Sequence, residues 1–530
     1  MDFEIEQMQT ESLSLWMDTV EMPGNPTLTE NLKTDVCIVG GGLGGLTTAY
    51  LLMKEGKSVC VLEDSEIGSG QTGRTTAHFV TALDDRYFDL EKYHGESGAR
   101  LAAESHRAAL EEVENIIAKE KIECDLEYVD GFLFAAAESP PGVLNDELLA
   151  AHRAGLSEVN MVSRAPLESF NTGPALCFPR QLQLNPLKYL KGLAECLLKN
   201  GGKIYTNTHV LEVHGGKDAF VKTKNGNIVK AQSIVVATNT PINNLFAIHT
   251  KQAAYRTYVI ALLVPRGHVA KGLYWDTLDP YHYVRVESSK SGTDDILIVG
   301  GEDHKTGQNN KPEESFSRLE KWTREKFPLA KKIAYRWSGQ VMEPVDGLGF
   351  LGHNPMDRNN VYVITGDSGN GMTHCTIGGL LIADQIMDIK NPWERLYSPS
   401  RISLRATGTY LRENANMAAQ FGDWFTGKQL EELEDISPGE GAVFRNGLKQ
   451  VAAYKSKEGI LDLRSAVCPH LGCVVSWNSV EKSWDCPCHG SRFNCHGKVL
   501  EGPAVTDLKK VAEPVLNNLS LERKVVYENL

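Results

Sequence analysis

The sequence predicts an α/β protein with an interleaved α+β region and a small all-β module at its C-terminal end. A buried strand runs directly into a glycine-rich loop and a helix near residue 40. Two further strand-and-turn segments follow much later in the chain, at 231–241 and 361–372. Short alternating runs beyond residue 430 surround a group of cysteines and histidines at 468–495. The 530 residues are enough for about three or four folding units.

The composition is that of an acidic globular protein. There are 68 Asp+Glu residues against 55 Lys+Arg residues, which gives a formal net charge of −13. A chain without a basic block lacks the electrostatic footprint of a nucleic-acid-binding protein. Residues 1–16 contain no apolar stretch of signal-peptide type, and no apolar run approaches the roughly 20 residues of a membrane span. We therefore expect a cytoplasmic protein without a nucleic-acid partner or a membrane span.

The first site lies where residues 34–40 (TDVCIVG), a strand buried on both faces, meet the glycine-rich loop. The loop satisfies the spacing G-x-G-x-x-G with Gly40, Gly42 and Gly45. A helix follows over 46–55, and a second strand over 58–62 ends at Glu63. The glycines let a pyrophosphate approach the helix N-terminus, and the Glu63 carboxylate can accept hydrogen bonds from ribose hydroxyls. A plain glycine-rich turn would not need the other parts, so the pattern predicts a Rossmann-like dinucleotide site.

The chain carries one such fingerprint, so a single unit has to hold the whole cofactor. Residues 34–80, with GSGQTGRTTAHFV after Glu63, resemble the D-amino-acid oxidase/glycine oxidase superfamily of FAD-dependent amine oxidoreductases. Segments 231–241 (AQSIVVATNTP) and 361–372 (VYVITGDSGNGM) resemble later FAD-binding segments of that family. The resemblance implies FAD, bound covalently through His78 or non-covalently. It also implies FAD contacts at Arg74, Thr75, Thr76, Val210, Ala237, Gly366, Gly369, Gly371 and Met372.

The second site lies in the C-terminal module. Five of the eleven cysteines fall between 468 and 495, in runs that include Cys-Pro-His-Leu-Gly-Cys at 468–473 and Cys-Pro-Cys-His-Gly-Ser at 486–491. A dense cluster in a long chain of this kind points to a metal site rather than a disulfide scaffold. The runs resemble the Rieske domain, and a structural zinc site is the alternative. The resemblance implies a [2Fe–2S] cluster held by Cys468, His470, Cys486 and His489.

Further features of the module follow from the same resemblance. Cys473 and Cys488 stand where one Rieske subclass forms a disulfide between the two cluster loops; the alternative is two free thiols. Ser491 matches a serine whose hydroxyl bonds a cluster sulfur. Phe493 stands where high-potential members carry a tyrosine, so we expect a lower reduction potential than in those members.

The domain boundaries follow from these assignments. The predicted FAD-binding domain is discontinuous and comprises 30–95, 180–250 and 340–395. The predicted α+β substrate domain comprises 96–179 and 251–339. The predicted linker is 396–429, and the predicted Rieske domain is 430–530.

The two cofactors together predict an oxidoreductase acting on CH–NH donors. Electrons from the C–N bond of an amine or amino acid would pass from FAD, a two-electron carrier, through the one-electron cluster to an external acceptor or donor protein. Candidate residues near the substrate are Tyr258, Tyr283 and Arg285. An arginine there would bind a substrate carboxylate, whereas the structural alternative is tyrosine packing and an arginine salt bridge. No catalytic base is predicted.

Two other functions fit parts of the sequence. One is an electron-transfer or redox-sensing flavo-iron–sulfur protein that has no amine substrate of its own. The other is a Rieske oxygenase, which needs a mononuclear iron domain, normally after the Rieske domain. Only 41 residues (530 − 489) follow His489, so an oxygenase is disfavoured.

Overall fold

A computed structural model describes residues 12–511, apart from 244–247, 290, 291, 310, 423, 425–434, 447 and 448. Residues 425–429 of the predicted linker therefore lie outside the described residues, as do residues 430–434 and 512–530 of the predicted Rieske domain. Contacts divide the chain into two units. The first runs to His304 and resumes over Glu314–Glu413, and the second comprises Lys305–Glu313 and the chain from Asn414.

The strands up to Thr365 are β1 (Leu32–Val39), β2 (Val59–Leu62), β3 (His78–Phe79), β4 (Glu127–Phe134), β5 (Asn160–Val162), β6 (Ala175–Gln183), β7 (Lys203–Tyr205), β8 (Val210–His214), β9 (Phe220–Thr223), β10 (Ile228–Val236), β11 (Gln252–Pro265), β12 (Leu273–Asp276), β13 (Tyr283–Glu287), β14 (Asp294–Lys305), β15 (Ile333–Pro344), β16 (Phe350–His353) and β17 (Val361–Thr365). The helices are α1 (Leu15–Thr19), α2 (Leu43–Lys54), α3 (Tyr87–Glu120), α4 (Val143–Arg153), α5 (Pro186–Lys199), α6 (Pro312–Lys326), α7 (Gly371–Ile386), α8 (Glu394–Tyr397) and α9 (Thr407–Gln420). A 3-10 turn spans Gln71–Arg74.

The first sheet of the first unit has the strand order β16-β17-β10-β1-β2-β7, and the β8–β9 hairpin extends from β10. Strands β17, β10, β1, β2 and β7 are parallel. Because helices such as α2 and α7 cover the sheet, the centre of β1 is buried, including Cys37 and Ile38. The carboxyl ends of β1, β10 and β17 meet at one edge, which is where doubly wound sheets bind ligands.

The second sheet of the first unit has the order β15-β11-β14-β13-β12-β4-β6-β3, with β5 beside β6. Its pairings are antiparallel apart from the parallel pair β12–β4, among those whose register is defined. His78 pairs with Gln183, so β3 belongs to this sheet although its sequence lies in the predicted FAD-binding segment. Since both sheets lie in one contact unit, the division into two domains stays a prediction.

The second unit contains two small antiparallel sheets, as its alternating sequence predicted. One comprises β18 (Gly441–Asn446), β19 (Lys449–Lys455) and β20 (Leu461–Ser465), and the other β21 (Ser476–Asn478), β22 (Ser483–Asp485), β23 (Arg492–Asn494) and β24 (Val499–Glu501). The α/β class with an all-β C-terminal module is confirmed. None of the helices in the described part of the chain has the length and apolar character that crossing a membrane requires.

Candidate flavin and cluster sites

The glycine loop after β1 forms a cradle that side chains would fill. Gly40 has φ +111°, and a Cβ there would overlap the carbonyl oxygen of Ala237, at the end of β10. A Cβ at Gly45 would overlap the carbonyl oxygen of Gly40. Gly42 caps α2, whose first turn has no acidic residue to compete for its N–H groups. The loop therefore fits a pyrophosphate that approaches the backbone at the positive end of a helix.

Glu63 follows β2 and lies beside this loop. Its carboxylate accepts hydrogen bonds from the N–H groups of Gly41, at 2.6 Å, and Ser65, at 3.0 Å. Burial raises the pKa of Glu63, while these backbone bonds oppose the shift. A carboxylate has about four lone-pair sites, so the side chain can still accept hydrogen bonds from the ribose of a bound dinucleotide.

Side chains from distant parts of the chain hold the backbone of the predicted contacts Arg74, Thr75 and Thr76. The indole N–H of Trp337 donates to the Arg74 carbonyl at 2.8 Å, and that of Trp16 donates to the Thr75 carbonyl at 2.7 Å. The sequence did not indicate either contact, because the partners are 263 and 59 residues apart. These contacts fix the backbone of the segment.

Arg285 holds the next part of the same segment. Its guanidinium donates to the carbonyl oxygens of Thr76 at 2.9 Å, Ala77 at 3.1 Å and Leu184 at 3.3 Å. It also pairs with the carboxylate of Glu287 at 2.5 Å, and the side chain is 1% exposed. These protein contacts of the guanidinium favour the structural alternative, a salt bridge, over the suggested clamp on a substrate carboxylate.

The remaining FAD candidates lie at the ends of neighbouring strands. Gly366 and Gly369, with φ of +74° and +70°, form the turn after β17, and α7 begins at Gly371. Met372 is buried in the first turn of this helix, which contains no acidic residue. The backbone dipole of α7 therefore suits the pyrimidine end of a flavin, where negative charge accumulates on reduction. Val210 begins β8 and is buried, so its assignment as an FAD contact remains a prediction.

Tyr283 stands in a hydrogen-bonded chain that ends on a carboxylate. Its hydroxyl lies 2.8 Å from the Thr257 hydroxyl, which in turn hydrogen-bonds the Asp303 carboxylate. Burial raises the pKa of Asp303 to about 7. Next to this chain, the Tyr281 hydroxyl donates to Asp84 at 2.6 Å. The Asp84 carboxylate occupies the space that a Cβ on Gly369 would need, so these groups adjoin the predicted flavin turn.

Tyr258 is not part of this group. It follows Thr257 in β11, and strand alternation directs the two side chains to opposite faces of the sheet. Its hydroxyl lies 2.8 Å from Nε2 of His304, and its ring packs edge-on against Phe316. The structure thus separates the two tyrosines that the sequence grouped together.

His78 lies beside Tyr283. Its ring contacts Trp275 and Tyr283 edge-on, with centroid distances of 5.8 Å and 6.1 Å. Burial lowers the pKa of His78 to about 3, so its imidazole is neutral at ordinary pH. Nε2 is buried and has no hydrogen-bond partner among the described residues. Covalent and non-covalent FAD attachment both remain open.

The four predicted cluster ligands converge in the second unit as two pairs. Cys468 and Cys486 are buried, and their thiol groups are hydrogen-bonded to each other. The rings of His470 and His489 lie 4.9 Å apart, edge to face. Two thiols and two imidazoles arranged in this way match the Cys₂His₂ ligand set of a Rieske [2Fe–2S] cluster, with one residue type on each iron.

The two cluster loops are joined as the resemblance implied. Cys473 and Cys488 form a disulfide with a Cα–Cα distance of 6.4 Å, which confirms the pairing. The Cys486 sulfur lies within 4.8 Å of both disulfide sulfurs, but bonded sulfurs are not thiolate ligands, so this triplet is no additional metal site. Ser491 hydrogen-bonds the Cys468 sulfur and accepts the Ala504 N–H at 3.1 Å.

Comparisons with known proteins agree with both sites. The family described as FAD dependent oxidoreductase matches residues 35–385, and the Rieske [2Fe-2S] domain matches residues 426–512. A crystal structure of glycine oxidase from Geobacillus kaustophilus is similar with a TM-score of 0.58 and 18% identity. That match covers 70% of this chain and 100% of the other.

Two curated relatives extend the comparison. A putative Rieske 2Fe-2S iron-sulfur protein, YhfW of Bacillus subtilis, is 32% identical, and the match covers 94% of this chain and 97% of that protein. Gamma-glutamylputrescine oxidoreductase of Escherichia coli is 28% identical, over 68% of this chain and 84% of its own length. The first relative is thus similar along almost the whole chain, and the second over about two thirds of it.

Proposed function

Because the chain belongs to the FAD-dependent oxidoreductase family and carries a Rieske [2Fe–2S] domain, we propose that it oxidises the C–N bond of a small cationic amine and delivers the electrons to an external one-electron acceptor. Oxidation of a CH–NH group to an imine releases two electrons and two protons, and water then hydrolyses the imine to a carbonyl compound and ammonia or a released amine. Bound FAD supplies a two-electron acceptor and the cluster a one-electron carrier, so each amine requires two transfers to the acceptor.

One observation carries the proposal: a dinucleotide cradle and a preformed Cys₂His₂ site occur in the same chain. The glycine loop with Glu63 suits FAD, and the paired Cys468–Cys486 and His470–His489 suit the cluster. Either site alone would also suit a simple oxidase or a simple electron carrier. Their combination favours substrate oxidation coupled to one-electron transfer.

The charges near the predicted flavin turn favour an amine over an amino acid. Asp84 and Asp303 lie there with Tyr281 and Tyr283, and burial raises the pKa of both carboxyl groups. A buried carboxylate gains stability from a positive partner, and a protonated amine is such a partner. Arg285, the candidate for binding a substrate carboxylate, is occupied by backbone carbonyls and Glu287.

We further propose that Asp303 accepts a proton from the bound amine. Amine oxidation requires the neutral amine, and a carboxyl group with a pKa of about 7 exchanges protons readily near neutral pH. The hydroxyls of Tyr283 and Thr257 line up towards this carboxylate and hold its orientation. A gamma-glutamylated diamine, the type of substrate in the name of the Escherichia coli relative, belongs among the amines to be tested.

The test is anaerobic mixing of the holoenzyme with matched compounds while the flavin absorption is followed. Isobutylamine and both enantiomers of valine share a carbon skeleton and differ in the carboxylate; putrescine, gamma-glutamylputrescine and NADH complete the panel. We expect an amine to bleach the flavin faster than the matched amino acid. A flavin that no amine bleaches would contradict the proposal and favour the electron-transfer protein without a substrate.

A further inference from the structure

Residues 305–309, named here the coupling loop, pack against a cluster loop within the second unit. Gly307 has φ +72°, and a Cβ there would lie 2.8 Å from the backbone nitrogen of Pro487 and 3.0 Å from the Asp485 carbonyl oxygen. Asp485 and Pro487 flank the proposed ligand Cys486. Only a residue without a side chain can approach the backbone of this ligand so closely.

Hydrogen bonds hold the coupling loop in this position. The side-chain amide of Gln308 donates to the Asn416 side chain at 2.8 Å and to the Pro487 carbonyl at 3.5 Å. The other cluster loop is held in a similar way, because the Trp424 indole donates to the Gly472 carbonyl at 3.0 Å. Gln308 and Trp424 both precede residues 426–512, the part that matches the Rieske domain. Segments outside that domain therefore position both cluster loops.

The coupling loop continues a strand that carries the proposed substrate-binding carboxylate. Strand β14 ends at Lys305 and includes Asp303, which joins Tyr283 through the Thr257 hydroxyl. From Asp303 to Gly307 the chain is four peptide units long. One stretch of chain thus carries Asp303 in the first unit and Gly307 in the second.

We propose that the coupling loop holds the cluster loop around Cys486 in the conformation that accepts electrons, with Gly307 and Gln308 as positioning residues. The proposal rests on the proposed function and assigns two residues to its electron-transfer step. In each transfer the reduced flavin loses one electron and the oxidised cluster gains one, and no bond is formed or broken at the loop. The polar loop keeps the backbone on both sides of Cys486 in place through Gly307 and Gln308.

The test is Gly307→Ala, with Gly267→Ala as the matched control. Both glycines have φ +72°, but no atom lies within 4 Å of a Cβ at Gly267. Both variants therefore carry the same backbone strain, and only the first displaces the cluster loop. The flavin is reduced by light in the absence of substrate, so that failure of the amine proposal does not affect the result. Electron arrival at the cluster is then followed from its visible and paramagnetic signals.

We expect Gly307→Ala to slow reduction of the cluster by at least about tenfold, because small displacements have large effects on geometry-dependent steps. The paramagnetic spectrum of the cluster should shift as well, while Gly267→Ala resembles the wild type in both. Gln308→Met, which keeps the side-chain length and removes the amide, should slow the transfer without backbone strain. Wild-type transfer rates and spectra in both Gly307→Ala and Gln308→Met would overturn the proposal.

Discussion

The guanidinium of Arg285 donates to the carbonyl oxygen of Thr76 at 2.9 Å and so joins the second sheet to the segment after the glycine loop. Replacing Arg285 with Met leaves Glu287 without its buried partner and three carbonyl groups without a donor. We expect a loss of about 3 kcal/mol in the free energy of unfolding and weaker FAD retention, measured by denaturant titration and flavin release.

The control for this substitution is Arg153→Met. Arg153 also pairs with a carboxylate, Glu91, but its side chain is 43% exposed, so its loss should cost at most about 1 kcal/mol. A substrate clamp would instead make Arg285→Met raise KM for amino acids and leave KM for amines and FAD retention unchanged. That pattern would contradict the assigned positioning role.

The glycine loop provides a second prediction. Gly45→Ala places a methyl group on the Gly40 carbonyl oxygen. Because this oxygen belongs to the backbone and cannot rotate away as a flexible side chain can, the protein should purify without FAD. Gly56→Ala is the control, since Gly56 has φ +81° and open space around it. It should keep its flavin and lose about 1 kcal/mol of stability. A flavin-loaded Gly45→Ala protein would contradict the placement of the pyrophosphate.

Asp303 predicts a dependence of stability on pH. Burial and the nearby charges of Asp84, Asp279 and Glu302 raise its folded-state pKa to about 7, whereas the unfolded value is about 4. The folded protein therefore binds this proton more tightly, and wild-type stability falls as pH rises from about 4 to about 7. Without substrate, Asp303→Asn should be more stable than the wild type at pH 8, by up to about 4 kcal/mol, since each of the roughly three pKa units is worth about 1.4 kcal/mol. The difference should vanish near pH 4.

Glu147 is the matched control for Asp303. Burial also raises its pKa to about 7, but its carboxylate accepts the Phe88 N–H at 3.3 Å, at the start of α3. Like Asp303→Asn, Glu147→Gln should be more stable than the wild type above about pH 7. It should leave KM for the amine unchanged. Asp303→Asn should raise that KM. Equal KM values in both variants would remove Asp303 from the substrate site while leaving the stability argument intact.

Phe493 predicts the direction of a potential change. It lies fully buried in β23, opposite Trp484, where the resemblance places a tyrosine in high-potential Rieske domains. A tyrosine hydroxyl would add a hydrogen bond to a negatively charged ligand and favour reduction. Voltammetry should therefore give a higher cluster potential for Phe493→Tyr. Phe444→Tyr, at a buried site in the other small sheet, should leave the potential unchanged; equal shifts in both would reject the explanation.

The parts of the sites that depend on local sequence were predictable. Gly40 to Gly45 and the cluster ligands lie in short runs, and the spacing of each run reflects one loop. The positions of Arg285 and Trp337 were not predictable, because their partners are 209 and 263 residues away and are brought together by sheet pairing. Strand β13 begins at Tyr283, so the hydrogen bond of the preceding Tyr281 to Asp84 does not follow from strand alternation.

The packing of the coupling loop was not predictable from the sequence for the same reason. Residues 305–309 read as a polar loop within the predicted substrate domain, and their sequence contains no metal ligand pattern. Gln308 donates to the carbonyl oxygen of Pro487, which lies 179 residues later in the chain. The loop can pack against the cluster module because Gly307 has no side chain. Hydrophobic periodicity does not indicate a contact of this kind.

The most direct measurement is an anaerobic titration of the holoenzyme with the amine that bleaches its flavin, followed by absorption and by electron paramagnetic resonance of the same samples. We predict that flavin bleaching is followed by the signal of a reduced [2Fe–2S] cluster without any added mediator, and that each amine oxidised accounts for two electrons. Electron flow through the cluster would be contradicted if the flavin became fully reduced while the cluster stayed oxidised, although a chemical reductant of the same potential as the flavin reduces that cluster.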